Sequence, residues 1–311
     1  MALEATIMAP TERRRGLWSQ MVKSRWAYAF ISPFFILFLI FQFGPILFSI
    51  YLSVVNWKGL GAMEFVGLKN FTHLFGAGGK AFRQSVLNGF ILFFMYVPIM
   101  TFLAIVLAVI LNSEKVRAIK VYRTLIFTPY VTSMIAAGFT FRLLLEQKGG
   151  LFNIALEALG LPGVPWLESQ WWARVSLCLL VVWGWLGYNM VLMLAGLQTI
   201  PRELTEAALI DGASPVQAFF RITIPLLRPV ILFSVILSTM GSFGLFNELM
   251  ALFYYTRGSG PMRATLTPVV HIYHEAFDNF RYGRASATAY VYFALIFVLA
   301  YLQNRYFGRE D

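Results

Sequence analysis

The sequence has very little charge for its length. Asp, Glu, Lys and Arg make up 13% of its 311 residues, about half the share of roughly 25% in a typical soluble domain. Hydrophobic residues make up 59%, and 30 residues are phenylalanine. A soluble fold of this size lacks the interior to bury so much apolar surface. The composition therefore excludes an ordinary soluble protein and indicates an integral membrane protein.

Cysteine and acidic residues are scarce as well. The single cysteine, Cys178, cannot form an intrachain disulfide, and it lies in an apolar run without metal-ligating neighbours. The 15 acidic residues face 25 basic ones, which gives a formal net charge of +10. A basic surplus can indicate nucleic-acid binding. In a membrane protein, the simpler explanation is that Lys and Arg collect in cytoplasmic loops.

Six uncharged stretches predict six membrane-spanning helices. A spanning helix needs about 20 predominantly apolar residues, because hydrocarbon offers no partner for free backbone groups. The predicted helices lie near 27–55, 86–112, 124–146, 175–199, 229–256 and 285–306. The first is far longer than the roughly 7–15 apolar residues of a signal peptide. Arg142, near the end of the third, is expected to extend toward an interface.

The distribution of Lys and Arg predicts the orientation of these helices. The segments on the side of both termini hold fourteen Lys and Arg, and those on the other side hold nine. This bias predicts that both termini are cytoplasmic. The chain then divides into a cytoplasmic N-terminal segment, 1–26, a transmembrane domain, 27–306, and a cytoplasmic tail, 307–311.

The connector between the fourth and fifth spans, residues 200–228, is here called the cytoplasmic elbow. Pro201 and Glu206 favour a first short helix, and Gly212 can take the left-handed conformation that ends it. The run Ser214-Pro215-Val216-Gln217 is typical of a capping box that starts a second helix. We expect Pro225 to end that second helix.

Two interpretations of the elbow follow from these residues alone. Small side chains such as Ala207 and Ala208 let another surface approach closely, which suits a helix lying in a partner's groove. An amphipathic connector that rests on the membrane surface is the alternative. The residues by themselves favour neither.

The elbow also resembles a known signature. The run Glu206-Ala207-Ala208, with Gly212 and then Ile222-Thr223-Ile224-Pro225, resembles the EAA signature of inner-membrane permease subunits of binding-protein-dependent ABC importers. Further segments resemble the MalF-like sugar branch of that family: Phe65–Phe71, Trp166-Leu167, Ala195–Pro201, Ile272-Tyr273 and Tyr282-Gly283. The resemblance runs from about residue 27 to 306. It implies an all-α integral membrane fold with six transmembrane helices, the type I ABC importer permease (MetI/MalF-like) fold.

The resemblance also implies partners and a cellular location. A permease of this kind is not an enzyme: it pairs with a second, homologous permease, and two ATPase subunits bind ATP and Mg²⁺. An extracytoplasmic protein delivers the sugar, and the complex lies in a bacterial or archaeal inner membrane. This chain lacks a Walker motif, and we expect it to bind no cofactor, metal or nucleic acid. The residues implied in ATPase coupling are Glu206, Ala207, Ala208, Asp211 and Gly212.

A sugar site needs hydrogen-bonding groups beside flat apolar rings in a cavity near the bilayer midplane. The fourth span offers Trp185, Tyr188 and Asn189, and Tyr188 falls where the resemblance places a tyrosine of the sugar pocket. The predicted candidates in the fifth span are Ser242, Asn247 and Glu248. An acid inside a span is costly and therefore indicates function. Aromatic residues such as Trp185 could instead pack against lipid or a neighbouring helix.

Three other functions compete with sugar import. A permease for glycerol-3-phosphate or glycerophosphodiesters shares the EAA elbow, but Glu248 disfavours an anionic substrate. A secondary transporter is expected to show ionisable relays and repeat halves. An intramembrane enzyme needs a nucleophile with its base, or metal ligands, at membrane depth. The histidines, His73, His271 and His274, lie in predicted external segments and receive no role.

Overall fold

A computed structural model describes residues 24–113 and 117–307 of the chain. The predicted cytoplasmic tail lies almost wholly outside these ranges. So does most of the predicted N-terminal segment, including the basic residues Arg13, Arg14, Arg15 and Lys23. The chain falls into two compact units, one up to Tyr51 and one from Leu52 onward, and each is described by itself.

The first unit is a long apolar helix. It runs through Arg25–Phe38 (α1), a π-helical turn at Leu39–Phe43 and Gly44–Ser53 (α2). The three segments together are long and apolar enough to cross a membrane, and only 6% of the most apolar window is buried. The first predicted span, 27–55, coincides with this helix. Its surface is therefore apolar nearly all round, as a membrane-spanning helix requires.

The described residues of the second unit form helices, their connections and one short hairpin, in which Val55–Asn56 (β1) pairs antiparallel with Glu64–Phe65 (β2). Its helices follow in chain order: Lys69–Phe75 (α3), Lys80–Asn112 (α4), Ile119–Val131 (α5), Met134–Leu144 (α6), Leu151–Ala158 (α7), Gln170–Thr199 (α8), Arg202–Ile210 (α9), Pro215–Ala218 (α10), Ile224–Gly244 (α11), Asn247–Leu252 (α12), Pro268–Tyr273 (α13) and Tyr282–Phe307 (α14).

The all-α membrane architecture expected from the sequence is confirmed. In the described part of the chain, five helices are long and apolar enough to cross a membrane. In the second unit these are α4, α8, the run Pro215–Gly244 and α14. A sixth span is present if α5 and α6 are taken together, since that bent pair passes the same test.

The third predicted span, 124–146, is not one straight helix. Its two halves, α5 and α6, meet at an angle of 93°. Ser133 ends the break by accepting a hydrogen bond from the backbone N–H of Ala136 at 3.4 Å, a helix N-cap. Past the bend, the Arg142 guanidinium lies 3.9 Å from the ring centre of Tyr255, a cation–π contact.

The fifth predicted span, 229–256, is wrong at its C-terminal end. The helix stops at Gly244, and a separate helix, α12, begins at Asn247. The orphaned carbonyl of Leu245 accepts a hydrogen bond from the buried Thr267 hydroxyl at 2.8 Å, so the break leaves this group paired. A search for uncharged stretches detects apolar content and is blind to such a backbone break.

The first half of the cytoplasmic elbow folds as the sequence predicts. Gly212 is left-handed, with φ +89°. The N–H of Ala213 donates to the carbonyl of Ala208, and the N–H of Gly212 donates to that of Leu209. This pair of bonds is a Schellman motif, which ends α9.

The second elbow helix also begins as predicted, but it does not end at Pro225. Ser214 and Gln217 form both hydrogen bonds of a capping box. The chain then widens into a π-helical turn, Phe219–Thr223, in which the N–H of Ile224 donates to the carbonyl of Phe219. Because this turn replaces the regular α-helical ladder just before Pro225, the proline continues the helix into the fifth span.

The core of the second unit lies where α4 packs against α8. One cluster of buried side chains includes Leu92, Leu177 and Leu180, and a second includes Met190 and Met193. Small residues let the helices approach closely here. At Gly187, a Cβ would collide with the backbone of Ile126 and Phe127 on α5, whereas at Gly184 it would meet only the flexible end of Met134.

Gly187→Ala should therefore destabilise the protein, while Gly184→Ala on the same helix should be tolerated. Overpacking against a rigid backbone costs about 1–3 kcal/mol, and a methionine end can move aside. We expect a lower apparent melting temperature for detergent-purified Gly187→Ala than for Gly184→Ala. Equal melting temperatures for the two variants would contradict the close approach of α5 to α8.

Candidate functional site

A cavity of about 460 Å³ lies among α4, the end of α5, α8, α11 and the break before α12. It is lined by Tyr96, Met100, Tyr130, Val181, Trp185, Tyr188, Asn189, Leu237, Ser238, Met240, Gly241, Gly244, Leu245, Phe246, Asn247 and Glu248. Five of the six substrate-binding residues predicted from the sequence are among them. The cavity is therefore the candidate site.

One helix supplies the aromatic and amide groups. Tyr188 and Asn189 follow Trp185 by three and four residues on α8, which places them on the same face of the helix as Trp185. Gly187 lies among them and lets the end of α5 come close. The helical spacing and the glycine together bring Tyr130 of α5 to this face.

Three aromatic rings form one wall of the cavity. Tyr130 and Tyr188 are stacked, with ring centres 4.9 Å apart and planes 24° apart. Trp185 packs edge-on to Tyr130 at 5.4 Å and to Tyr188 at 6.3 Å. Flat aromatic faces of this kind are typical of surfaces that bind apolar ring faces.

Tyr130 is a site residue that the sequence prediction missed. It lies in the last turn of α5, just before the 93° bend. Pro129 and the pair Thr132-Ser133 interrupt an apolar run at this point, and a proline followed by capping residues was the available signal for a break. Tyr96 and Met100 of α4 were missed too, and no local signal marks them.

Asn189 is held firmly by the protein. Its Oδ1 accepts a hydrogen bond from the Ser234 hydroxyl at 2.6 Å, and its Nδ2 donates to the Trp185 carbonyl at 3.0 Å. The side chain is buried, with 4% of its surface exposed. The network ties α8 to α11 at the floor of the aromatic wall and leaves Asn189 little capacity for further bonds.

The break in the fifth span carries the acid into the cavity. Glu248 lies in the first turn of α12 and is 5% exposed. Its Oε1 accepts one hydrogen bond, from the Trp185 indole N–H at 3.4 Å. Within residues 24–113 and 117–307 its carboxylate has no other hydrogen bond or ion pair. Because a carboxylate has about four acceptor positions, most of them are not used by the described residues, and Glu248 lines the cavity. Asn247 beside it is exposed.

Ser242 and Trp183 lie outside the cavity lining. The Ser242 hydroxyl is fully buried and donates to the Thr239 carbonyl at 2.8 Å within its own helix. Trp183 is 40% exposed and packs against Phe141, with ring centres 5.4 Å apart. Both have the contacts of packing residues rather than of a ligand site.

The predicted coupling residues lie together on an exposed helix. None of the residues of α9 is buried. Glu206, Ala207, Asp211 and Gly212 are exposed, and Ala208 is half-buried. Ile210 at the helix end is 85% exposed. In the described part of the chain its main packing partners are α10 and the π-helical turn that follows it, and most of its side chains are exposed and accessible to a partner.

The histidines His73, His271 and His274 are not among the residues that line the cavity. His274 Nε2 lies 2.8 Å from the carbonyl of Arg257 and 3.8 Å from Asp278. Burial lowers the pKa of His271 below its ordinary value of 6.5. Burial and the nearby Arg284 likewise lower the pKa of His73. Among the residues that the structure describes, no group of His, Cys, Asp and Glu is placed to hold a metal ion.

Comparisons with known proteins give a consistent result. The family of binding-protein-dependent transport system inner membrane components matches residues 74–309. The chain is 38% identical over 289 residues to the lactose transport system permease protein LacF of Rhizobium radiobacter, covering 91% of this chain and 94% of LacF. It is 31% identical over 291 residues to the trehalose/maltose transport system permease protein MalF of Thermococcus litoralis, covering 93% and 96%.

A solved structure shares the fold. A chain of a bacterial ABC transporter involved in the import of the acidic polysaccharide alginate superposes with a TM-score of 0.76 at 23% identity, covering 94% of this chain and 98% of that one. The family match spans most of the sequence and the structural match spans nearly all of it. The chain therefore belongs to the family of inner membrane permease components of binding-protein-dependent transport systems.

Proposed function

We propose that this permease moves a sugar from an external binding protein to the cytoplasm, as one subunit of an ABC importer. The observation that carries the proposal is that an aromatic wall and a buried carboxylate line the same cavity. The rings of Tyr130 and Tyr188 can cover the apolar face of a sugar ring, while Glu248 accepts hydrogen bonds from its hydroxyls. Relatives named for transport of lactose, arabinooligosaccharides and trehalose/maltose support the same substrate class.

A phosphorylated polyol is the less suitable substrate. Phosphate recognition relies on Arg, Lys or helix N-termini that donate charge-assisted hydrogen bonds. Among the residues that line the cavity in the described chain, none is Lys, Arg or His. Glu248 would repel a phosphate instead. These two features favour a sugar over glycerol-3-phosphate or a glycerophosphodiester.

The exposed elbow supports coupling to ATPase subunits. Helix α9 is anchored by its Schellman turn and leaves Glu206, Ala207 and Asp211 open to a partner. We infer that one of two ATPase subunits takes this helix into a groove and that a second, homologous permease completes the membrane unit. Because α10 continues into the fifth span, movement of the elbow would be transmitted to the helix that ends at the cavity. We infer further that both termini are cytoplasmic and that the ATPase subunits bind ATP and Mg²⁺.

The substrate class can be tested on the purified complex with its binding protein. Lactose, maltose, trehalose, arabinooligosaccharides and glycerol-3-phosphate should be screened for stimulation of ATP hydrolysis and for uptake into vesicles. We expect a sugar to stimulate ATP hydrolysis by the complex. Tyr188→Ala should reduce uptake about tenfold or more, because it removes a ring on which the sugar would stack. The scale is taken from nucleobases stacked on aromatic side chains, where each base contributes about 1–3 kcal/mol. Tyr188→Phe keeps the ring and should retain most uptake.

Two outcomes would overturn this assignment. Stimulation by glycerol-3-phosphate and by no sugar would make the substrate class wrong. Unchanged uptake by Tyr188→Ala at low sugar concentration would remove Tyr188 from the site.

The coupling role of the elbow has a matched control within the chain. Gly212 and Gly160 both have positive φ, +89° and +73°, and both end a helix through the same pair of Schellman bonds. Proline fixes φ near −65° and removes the N–H, so it breaks either turn. We expect Gly212→Pro to lose coupled uptake or ATPase association, and Gly160→Pro to keep both.

Uptake per ATP hydrolysed and co-purification of the ATPase subunits are the measurements. Glu206→Ala should weaken the same coupling through loss of a charged contact. Normal coupled uptake in both Gly212→Pro and Glu206→Ala would remove the elbow from the coupling interface.

A further inference from the structure

The cavity carries charge of one sign only. Glu248 is the one charged residue among the described residues that line it. Arg174, a basic residue of α8, is engaged elsewhere: its guanidinium donates to the Ala264 carbonyl at 3.0 Å and to Asn88 Oδ1 at 3.2 Å. Among the described residues that line the cavity, none is a cation that could offset the charge of Glu248.

The surroundings of Glu248 strengthen the effect of its negative charge on a ligand in the cavity. Its side chain is 5% exposed, and its single hydrogen bond comes from a neutral indole N–H. Little solvent reaches the carboxylate, and no described residue forms an ion pair with it, so its charge acts strongly on a charged group brought into the cavity. Hydroxyl groups, in contrast, find open acceptor positions on it.

We propose that Glu248 makes this cavity selective by charge, admitting neutral saccharides and rejecting acidic ones such as uronates. The inference rests on the proposed sugar transport and adds the substrate's charge class to it. The fold by itself leaves that class open, because a chain with the same fold belongs to a transporter of an acidic polysaccharide. The sign of the lining charge, rather than the architecture, decides which saccharides fit.

The size of the selection follows from electrostatics. Two like charges a few ångströms apart at an effective dielectric constant of about 20 repel by more than 1.4 kcal/mol, which corresponds to at least about a tenfold loss of affinity. A cationic amino sugar should gain from the same charge. The relative affinities of neutral, acidic and amino versions of one disaccharide thus report the sign of the charge in the cavity.

The test is direct binding to the assembled permease–ATPase complex in lipid nanodiscs, without the binding protein, so that the binding protein's own preference plays no part. Saturation-transfer NMR would compare lactose and maltose with counterparts whose terminal ring carries a C6 carboxylate or a free amine. For the wild type we expect the neutral sugars to bind about tenfold or more tightly than the uronates. The amines should bind at least as well as the neutral sugars.

Glu248→Gln keeps the shape of the side chain and one acceptor oxygen, replaces the other oxygen with an amide donor, and removes the charge. We expect this variant to bind the neutral sugars still, while the affinities for neutral and acidic sugars become nearly equal. Glu157→Gln on the exposed surface of α7 is the control and should leave the wild-type ratio unchanged.

The outcomes separate the two proposals. Equal binding of neutral and acidic sugars by the wild type, or an unchanged ratio in Glu248→Gln, would overturn charge selection and leave sugar transport standing. Failure of every neutral sugar to bind the wild type would overturn the sugar site itself.

Discussion

The interruption of the fifth span between Gly244 and Asn247 is the constraint on which the candidate site depends. Hydrocarbon cannot satisfy free backbone groups, so a break at membrane depth persists only where the protein itself pairs them or encloses a cavity. Here the Thr267 hydroxyl binds the freed Leu245 carbonyl. The backbone then restarts as α12 and brings Glu248 to face Trp185. An uninterrupted helix would continue past the cavity.

The aromatic wall depends on small residues. Gly187 removes the side chain that would separate α8 from α5, and the resulting contact lets Tyr130 stack on Tyr188. The bond from Ser234 to Asn189 then fixes α8 against α11. The aromatic wall and the acid are thus held by helices that already pack tightly, so a ligand meets preorganised groups. Preorganisation of this kind lowers the cost of binding. The run Pro215–Gly244 also joins the elbow to the cavity edge.

Much of this architecture could be predicted from the sequence, for physical reasons that also explain the errors. Charge-free gaps locate membrane helices because charges are excluded from hydrocarbon, and the helix-stop residue Gly212 and the capping box at Ser214 were recognisable because their mechanisms are local. The same reasoning missed the bend after Val131 and the break after Gly244. The bend has a local signal, Pro129 and the Ser133 cap, that a search for uncharged stretches does not use, whereas the break depends on a partner distant in sequence, Thr267 for Leu245. The prediction that Pro225 ends the second elbow helix was also wrong, because the π-helical turn before it lets the helix continue through the proline.

The composition of the site was predictable to a similar degree. Trp185, Tyr188 and Asn189 share a helix face by spacing alone, and an acid such as Glu248 is conspicuous in an apolar stretch. Ser242 was expected to line the cavity, but it is buried within α11 and donates to the Thr239 carbonyl of its own helix. Tyr96 and Tyr130 reach the cavity only through tertiary packing, which a single sequence does not reveal.

The central claim is that a sugar occupies the space between the Tyr130–Tyr188 stack and Glu248. The most direct measurement is the structure of the assembled importer, determined by electron cryomicroscopy with a transported sugar bound. The account predicts sugar density against the Tyr188 ring, with a hydroxyl within hydrogen-bond distance of the Glu248 carboxylate. Sugar density elsewhere in the membrane, with this cavity filled by side chains, would contradict it.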